Sequence, residues 1–137
     1  MSSVPESRTA DTASKRILLV EGNDLNRQLL DEYLVGFGYE VLSLTGGSGF
    51  FQVLVDFQPS LILLDLRLPD IDGYTLLEQI QQEPDWRHIP VIVVSALSFR
   101  ADQERARNLG IRRYLVKPVN LNNLRQVIQD ELNGHKA

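Results

Sequence analysis

The sequence predicts an α/β fold, an open, doubly wound sheet of five parallel strands with five helices shared between its two faces. Three observations carry the prediction. Short apolar runs recur at Ile17 to Val20, Tyr39 to Leu44, Leu61 to Leu64, Pro90 to Val94 and Arg113 to Val116. The first, third and fourth are nearly continuous rather than alternating, the pattern of parallel strands covered on both faces. Each is followed by a segment of helical length, and strands that return parallel to one another need right-handed crossovers of this kind.

After the first run, Leu25, Leu29, Tyr33 and Phe37 step by four residues, Leu30 and Leu34 widen the stripe, and Gly36 and Gly38 mark its end. Phe50, Val53, Leu54 and Phe57 form the next stripe, which Pro59 closes. Of the adjacent Phe50 and Phe51, one is expected to pack inward and the other to form a surface patch for a partner. Leu76, Leu77 and Ile80 mark a third helix. The segment from Ser98 to Leu109 is mostly polar, with Ala101, Ala106 and Leu109 as a thin apolar face, so its helix is expected to be the loosest. Leu121, Leu124, Ile128 and Leu132 give the fifth, after a cap at Asn120. Residues 1–14, rich in Ser and Thr without periodicity, read as a flexible tail; 15–132 read as one domain and 133–137 as a short C-terminal tail.

The 137 residues suffice for one core, and 43% hydrophobic with 23% charged residues is a globular balance. The chain has no cysteine, which removes disulfides, thiol catalysis and zinc–thiolate sites. No apolar run approaches the roughly 18 residues that cross a bilayer, and the N-terminus lacks the apolar core of a signal peptide, so a soluble, cytoplasmic protein without membrane contact is expected. A net charge of −4 argues against a broad nucleic-acid footprint. Arg105, Arg107, Arg112 and Arg113 cluster in the sequence and read as a solvated helix end.

In doubly wound sheets the ligand lies outside the carboxyl ends of the strands. The residues there are Glu21, Asp65, Ser95 and Lys117. A purely structural ion pair leaves the hydroxyl, and the proline after Lys117, unexplained. Two acids, a hydroxyl and an ammonium suit phosphoryl transfer to a carboxylate, a reaction governed by positioning and neutralisation of charge. Asp65 can serve as nucleophile and become an aspartyl phosphate. Magnesium takes hard oxygen ligands and keeps several waters, so carboxylates plus a backbone carbonyl suffice. Lys117 and the Ser95 hydroxyl would hold phosphoryl oxygens.

The stretches LLDLRLPDIDG around Asp65, VIVVSAL through Ser95 and YLVKP around Lys117 resemble the signature segments of bacterial two-component response-regulator receiver domains, and ILLVEGNDLNRQLL is similar to that family's acidic first turn. The resemblance spans about residues 15–132 and implies a flavodoxin-like sheet of order 2-1-3-4-5. It implies that Asp65 accepts a phosphoryl group from a sensor histidine kinase or histidine phosphotransfer protein, with Lys117 binding phosphate. It implies that Ser95 and Tyr114 are the pair that shifts on phosphorylation, and that the Lys117–Pro118 bond is often cis. Magnesium would be held by Glu21, Asp65 and the backbone carbonyl of Arg67. From the residues alone, Tyr114 reads equally as a half-buried strand aromatic. Leu97 and Arg67, each two residues beyond a site residue, bear on water access to an acyl phosphate.

Receivers of this family usually carry two adjacent acids after the first strand, the second of which coordinates magnesium directly. Here Glu21 is followed by Gly22. A carboxylate about 4 Å from a divalent ion contributes about 2 kcal/mol in bulk water. Its loss weakens binding about thirtyfold. Weak magnesium binding is therefore expected, with Glu21 leaning in as ligand and Asp24 capping the first helix.

Three functional classes follow: a phosphorylatable switch, a pseudo-receiver that binds partners without phosphorylation because Gly22 replaces a metal-binding acid, and a small hydrolase or nucleotide-binding protein. Against the third, GGSG at 46–49 lacks the Lys-Ser/Thr ending of a nucleotide loop. His88 and His135 stand without ligand neighbours and read as surface residues. With few residues beyond the fifth helix, the expectation is a stand-alone, non-enzymatic receiver, a monomer or weak homodimer. It would dock a downstream protein through its fourth helix, fifth strand and fifth helix, without direct nucleic-acid contact.

Overall fold

The computed structural model describes residues 15–134. Ten elements alternate along the chain: β1 (Arg16–Val20), α1 (Asp24–Gly36), β2 (Glu40–Leu44), α2 (Phe50–Phe57), β3 (Leu61–Leu64), α3 (Gly73–Gln82), β4 (Val91–Ser95), α4 (Arg100–Asn108), β5 (Arg113–Val116) and α5 (Leu121–Gly134). The five strands form one parallel sheet in the order β2-β1-β3-β4-β5, the flavodoxin-like order. The order reverses between β1 and β3, so the residues after Val20 and Leu64, which are register partners, flank the switch point.

Successive side chains of a strand point to opposite faces, and this divides the core in two. Leu18, Val20, Ile62, Leu64 and Val93 pack with Phe50, Leu54, Leu76, Leu77 and Ile80 of α2 and α3, and with Ala106 of α4. Ile17, Leu19, Leu61, Leu63, Ile92 and Val94 pack with Leu30 and Leu34 of α1 and Leu124, Val127 and Ile128 of α5. Full burial of each such side chain contributes about 1.5–3 kcal/mol. Both faces are covered, so β3 is apolar throughout, as are β1 after Arg16 and β4 before Ser95.

The structure departs from the sequence reading at several points. The four-residue stripe of α1 is not its core face: Leu25 is 76% and Leu29 53% exposed, while Leu30 and Leu34, one position along, are buried. Phe51 is not a free patch, because it stacks on Trp86 with ring centroids 5.1 Å apart and lies edge-on to the buried Phe50. The arginine cluster is more than a solvated helix end: Arg112 Nη2 and Arg113 Nε reach the buried Glu131 carboxylate of α5 at 2.8 and 3.0 Å. α5 continues through Gly134, two residues past the expected boundary. In α4, Ala101 is exposed and only Ala106 is buried. The tail 1–14 and His135 lie outside the described residues.

The glycine turn after α1 and the cap of α5 hold. Gly38 adopts φ 95° to turn the chain from α1 into β2, a conformation that favours glycine. Asn120 caps α5, its Oδ1 accepting from the Asn123 amide at 2.9 Å. The GGSG loop is clipped to the β3–α3 loop by Asp70, whose carboxylate accepts the Gly47 and Ser48 amides at 2.9 and 3.0 Å.

Candidate functional site

Backbone hydrogen bonds that extend the sheet deliver the site residues to one rim. The Glu21 amide donates to Leu44 O at 3.1 Å, the Asp65 amide to Val20 O at 3.0 Å, and the Lys117 amide to Ser95 O at 2.9 Å. Each side chain thus leaves the chain where a strand ends. Lys117 reaches between the two acids, with Nζ 2.8 Å from Glu21 Oε1 and 2.8 Å from Asp65 Oδ2. Both acids are buried. Lys117 is mostly buried too. Burial pulls its pKa down, but hydrogen bonds and charge attraction from Asp65 and Glu21 outweigh this and raise it above the usual lysine value.

The remaining oxygens are also engaged. Asp65 Oδ1 accepts the Arg67 amide at 3.0 Å, and Glu21 Oε2 accepts the Asn23 amide at 2.9 Å and Lys117 Nζ at 3.1 Å. Asn23, rather than Asp24, is the helix cap: its side chain accepts the Asn26 amide at 2.9 Å in extended backbone geometry. Asp24 is the first helical residue and pairs with Arg27 Nη2 at 2.6 Å, so it does not reach back to the site. Arg27 also donates to the Glu21 carbonyl at 2.9 Å. Sequence reasoning missed Asn23 and Arg27. The run Asn-Asp offered two adjacent cap formers, and only the backbone path separates them.

Ser95 is fully buried at the end of β4. Its Oγ accepts the Leu97 amide at 3.2 Å, while the Tyr114 hydroxyl donates to the Leu97 carbonyl at 2.8 Å. The two residues therefore meet at opposite ends of one residue, Leu97. Burial pushes the Tyr114 phenol up to about 12, with the Tyr74 phenol adding to the rise and the Ser95 hydroxyl opposing it. The Lys117–Pro118 peptide bond is cis.

Gly22 sits under the β3–α3 loop. A Cβ there would stand 3.1 Å from Pro69 Cδ, 3.6 Å from Thr45 O and 3.9 Å from Arg67 O. A side chain at this position would thus enter beside the Arg67 carbonyl, but Pro69 would have to give by a few tenths of an ångström. As donors for a divalent cation the rim offers two carboxylates and the Arg67 carbonyl. These are hard oxygens suited to magnesium, but both acids already face the Lys117 ammonium. Among the described residues no group of three or more His, Cys, Asp or Glu side chains stands together as a metal site. The donor chemistry is compatible with magnesium.

Residues 17–129 match the response regulator receiver domain. The chain is 31% identical over 119 residues to the polar-differentiation response regulator DivK of Brucella ovis, covering 87% of this chain and 97% of that protein. Among solved structures it is similar to the receiver domain of sensor histidine kinase PA1611 from Pseudomonas aeruginosa, which has a magnesium ion coordinated in its active site cleft. The TM-score is 0.78 at 30% identity, over 86% of this chain and 97% of that one. The Mn(2+)-bound form of response regulator Rcp1 gives a TM-score of 0.72 at 34% identity, over 84% and 89%. With the 2-1-3-4-5 sheet and the rim at its switch point, these matches place the chain in the response-regulator receiver family.

Proposed function

We propose that the protein is a signalling switch in which Asp65 accepts a phosphoryl group from a sensor histidine kinase or histidine phosphotransfer protein, and which then acts by docking a downstream protein. The observation that carries this reading is the 2.8 Å contact between Lys117 Nζ and Asp65 Oδ2 at the switch point of the sheet. In the reaction an Asp65 oxygen attacks phosphorus, the donor's bond to phosphorus breaks, and Lys117 neutralises charge on the transferred oxygens. Ser95, released from the Leu97 amide, supplies a hydroxyl to another of them. Magnesium, when bound, supplies additional positive charge, and Glu21, Asp65 and the Arg67 carbonyl would hold it. Beyond handling its own phosphoryl group, the chain is assigned no enzymatic activity. A cytoplasmic location, a monomer or weak homodimer, and no direct nucleic-acid contact belong to the same reading. No helix among the described residues is long and apolar enough to cross a membrane.

The pairing of Glu21 with Lys117 and the glycine at position 22 favour one rival, a pseudo-receiver that binds partners without phosphorylation. Incubation with a small acyl phosphate and magnesium, followed by intact mass measurement, separates the two. The switch predicts a gain of one phosphoryl group that is absent from Asp65→Asn. An unchanged mass for the wild-type protein, at magnesium concentrations well above those that saturate related receivers, supports the pseudo-receiver.

A further inference from the structure

α4 has little of its own to hold it. Ala106 is its one buried residue, and Phe99 at its N-terminus makes no side-chain cap and is 77% exposed. Three contacts come instead from α3 and its cap residue Asp72. The Tyr74 hydroxyl donates to the Asp102 carbonyl in the first turn of α4 at 2.9 Å. The Arg105 guanidinium lies over the Tyr74 ring, 3.9 Å from its centroid, with Nη2 4.0 Å from Asp72 Oδ2.

Tyr74 is in turn fixed to the loop that begins at Asp65. It is buried, and its amide donates to Asp72 Oδ1 at 3.0 Å. Next to it the Gly73 amide reaches Leu66 O at 3.0 Å, and a Cβ on Gly73 would stand 2.6 Å from the Leu66 Cα, so loop and helix start are in direct backbone contact. Arg67 and Asp72 form a bridge across the same loop. Displacement of Leu66 or Arg67 therefore moves Tyr74, and Tyr74 holds α4.

We propose that Tyr74 and Arg105 form a latch between α3 and α4, a mechanical connection that leaves Asp65 through the β3–α3 loop and meets the Ser95 and β4–α4 route only where the Tyr74 phenol faces Tyr114. That this connection carries a phosphorylation signal rests on the function proposed above. The restraint on α4 does not.

Hydrogen–deuterium exchange of the full chain tests both parts. In the unphosphorylated protein, Arg105→Gln and Tyr74→Phe are each expected to raise exchange of the α4 amides roughly two- to fivefold, the loss of one cation–π contact or one hydrogen bond. The amides of residues 66–73 should rise with them, while α1 and α2 stay unchanged. Unaltered α4 exchange, a silent β3–α3 loop, or an equal rise in every helix would overturn the latch. A second set adds magnesium and beryllofluoride, a phosphoryl mimic. A response of α4 that survives Ser95→Ala and disappears when Arg105→Gln is added supports the loop route. Complete loss of the response in Ser95→Ala alone overturns it. If wild-type α4 shows no response to beryllofluoride, the proposed switch function fails, and the restraint is still decided by the first set.

Discussion

Replacing Gly22 by aspartate is the sharpest perturbation of the metal site. The new Cβ enters 3.9 Å from the carbonyl oxygen of Arg67, the backbone ligand assigned to the metal, so the carboxylate is added beside that candidate ligand. At about 4 Å from a divalent ion, the added charge contributes about 2 kcal/mol in bulk water, and more in the partly buried rim. Against this stands the 3.1 Å approach to Pro69 Cδ. Relief by a bond-angle change of a few degrees costs about 1 kcal/mol. The net gain of at least about 1 kcal/mol corresponds to magnesium affinity at least fivefold tighter. Without metal, a third carboxylate beside Glu21 and Asp65 has only Lys117 to neutralise it, so the apo protein should lose stability that magnesium restores. Isothermal titration calorimetry measures the affinity, and Gly22→Ala isolates the crowding by Pro69, since it adds the Cβ without the charge. Trp86 stacks on Phe51 and does not adjoin the rim, so it is a poor fluorescence reporter. Equal affinities for Gly22→Asp and wild type would refute the reasoning that the glycine weakens the site.

Further outcomes follow from the packing and the titrations. Glu131→Ala removes a buried carboxylate from two arginines that remain partly solvated, so urea denaturation should show a loss of about 1–3 kcal/mol, smaller for Glu131→Gln. Leu63→Ala, in the fully covered β3, should cost about 2–5 kcal/mol in the same assay. The Tyr114 pKa is raised above its unfolded value to about 12, so its contribution to stability is complete below about pH 10 and is lost as pH climbs toward the folded value. Tyr39 and Tyr74 are also raised by burial, so spectroscopic titration should show several late-ionising tyrosines, the latest of which Tyr114→Phe abolishes. Phe51→Ala uncovers one face of Trp86, and its emission should move to longer wavelength.

The sheet was legible because Ile17–Val20, Leu61–Leu64 and Val91–Val94 are buried on both faces, which leaves no polar position within those runs to blur the pattern. The rim was legible for the related reason that charge appears abruptly where each strand ends, at Glu21, Asp65 and Lys117. α1 shows the limit. Its sequence carries two apolar stripes one position apart, Leu25 with Leu29 and Leu30 with Leu34, and periodicity alone does not say which one faces the sheet. The same limit applies to long-range pairs. Phe51 with Trp86, and Arg112 and Arg113 with Glu131, join residues far apart in the chain, and no local signal couples them. Asn23 and Asp24 both suit a cap, and only the backbone separates them, extended at Asn23 and helical from Asp24. The engagement of both Glu21 oxygens was likewise hidden: the sequence supplied an acid long enough to lean in, but not the ammonium and amide it would meet there.

The measurement that bears most directly on the account is chemical trapping of the phosphoryl group after reaction with an acyl phosphate. Borohydride reduces an aspartyl phosphate to homoserine, and peptide mass mapping then locates the reduced residue. The account predicts homoserine at position 65 alone, with the yield collapsing in Lys117→Met. Phosphate retained on Ser95 or another hydroxyl, or reduction at any other acid, would contradict it.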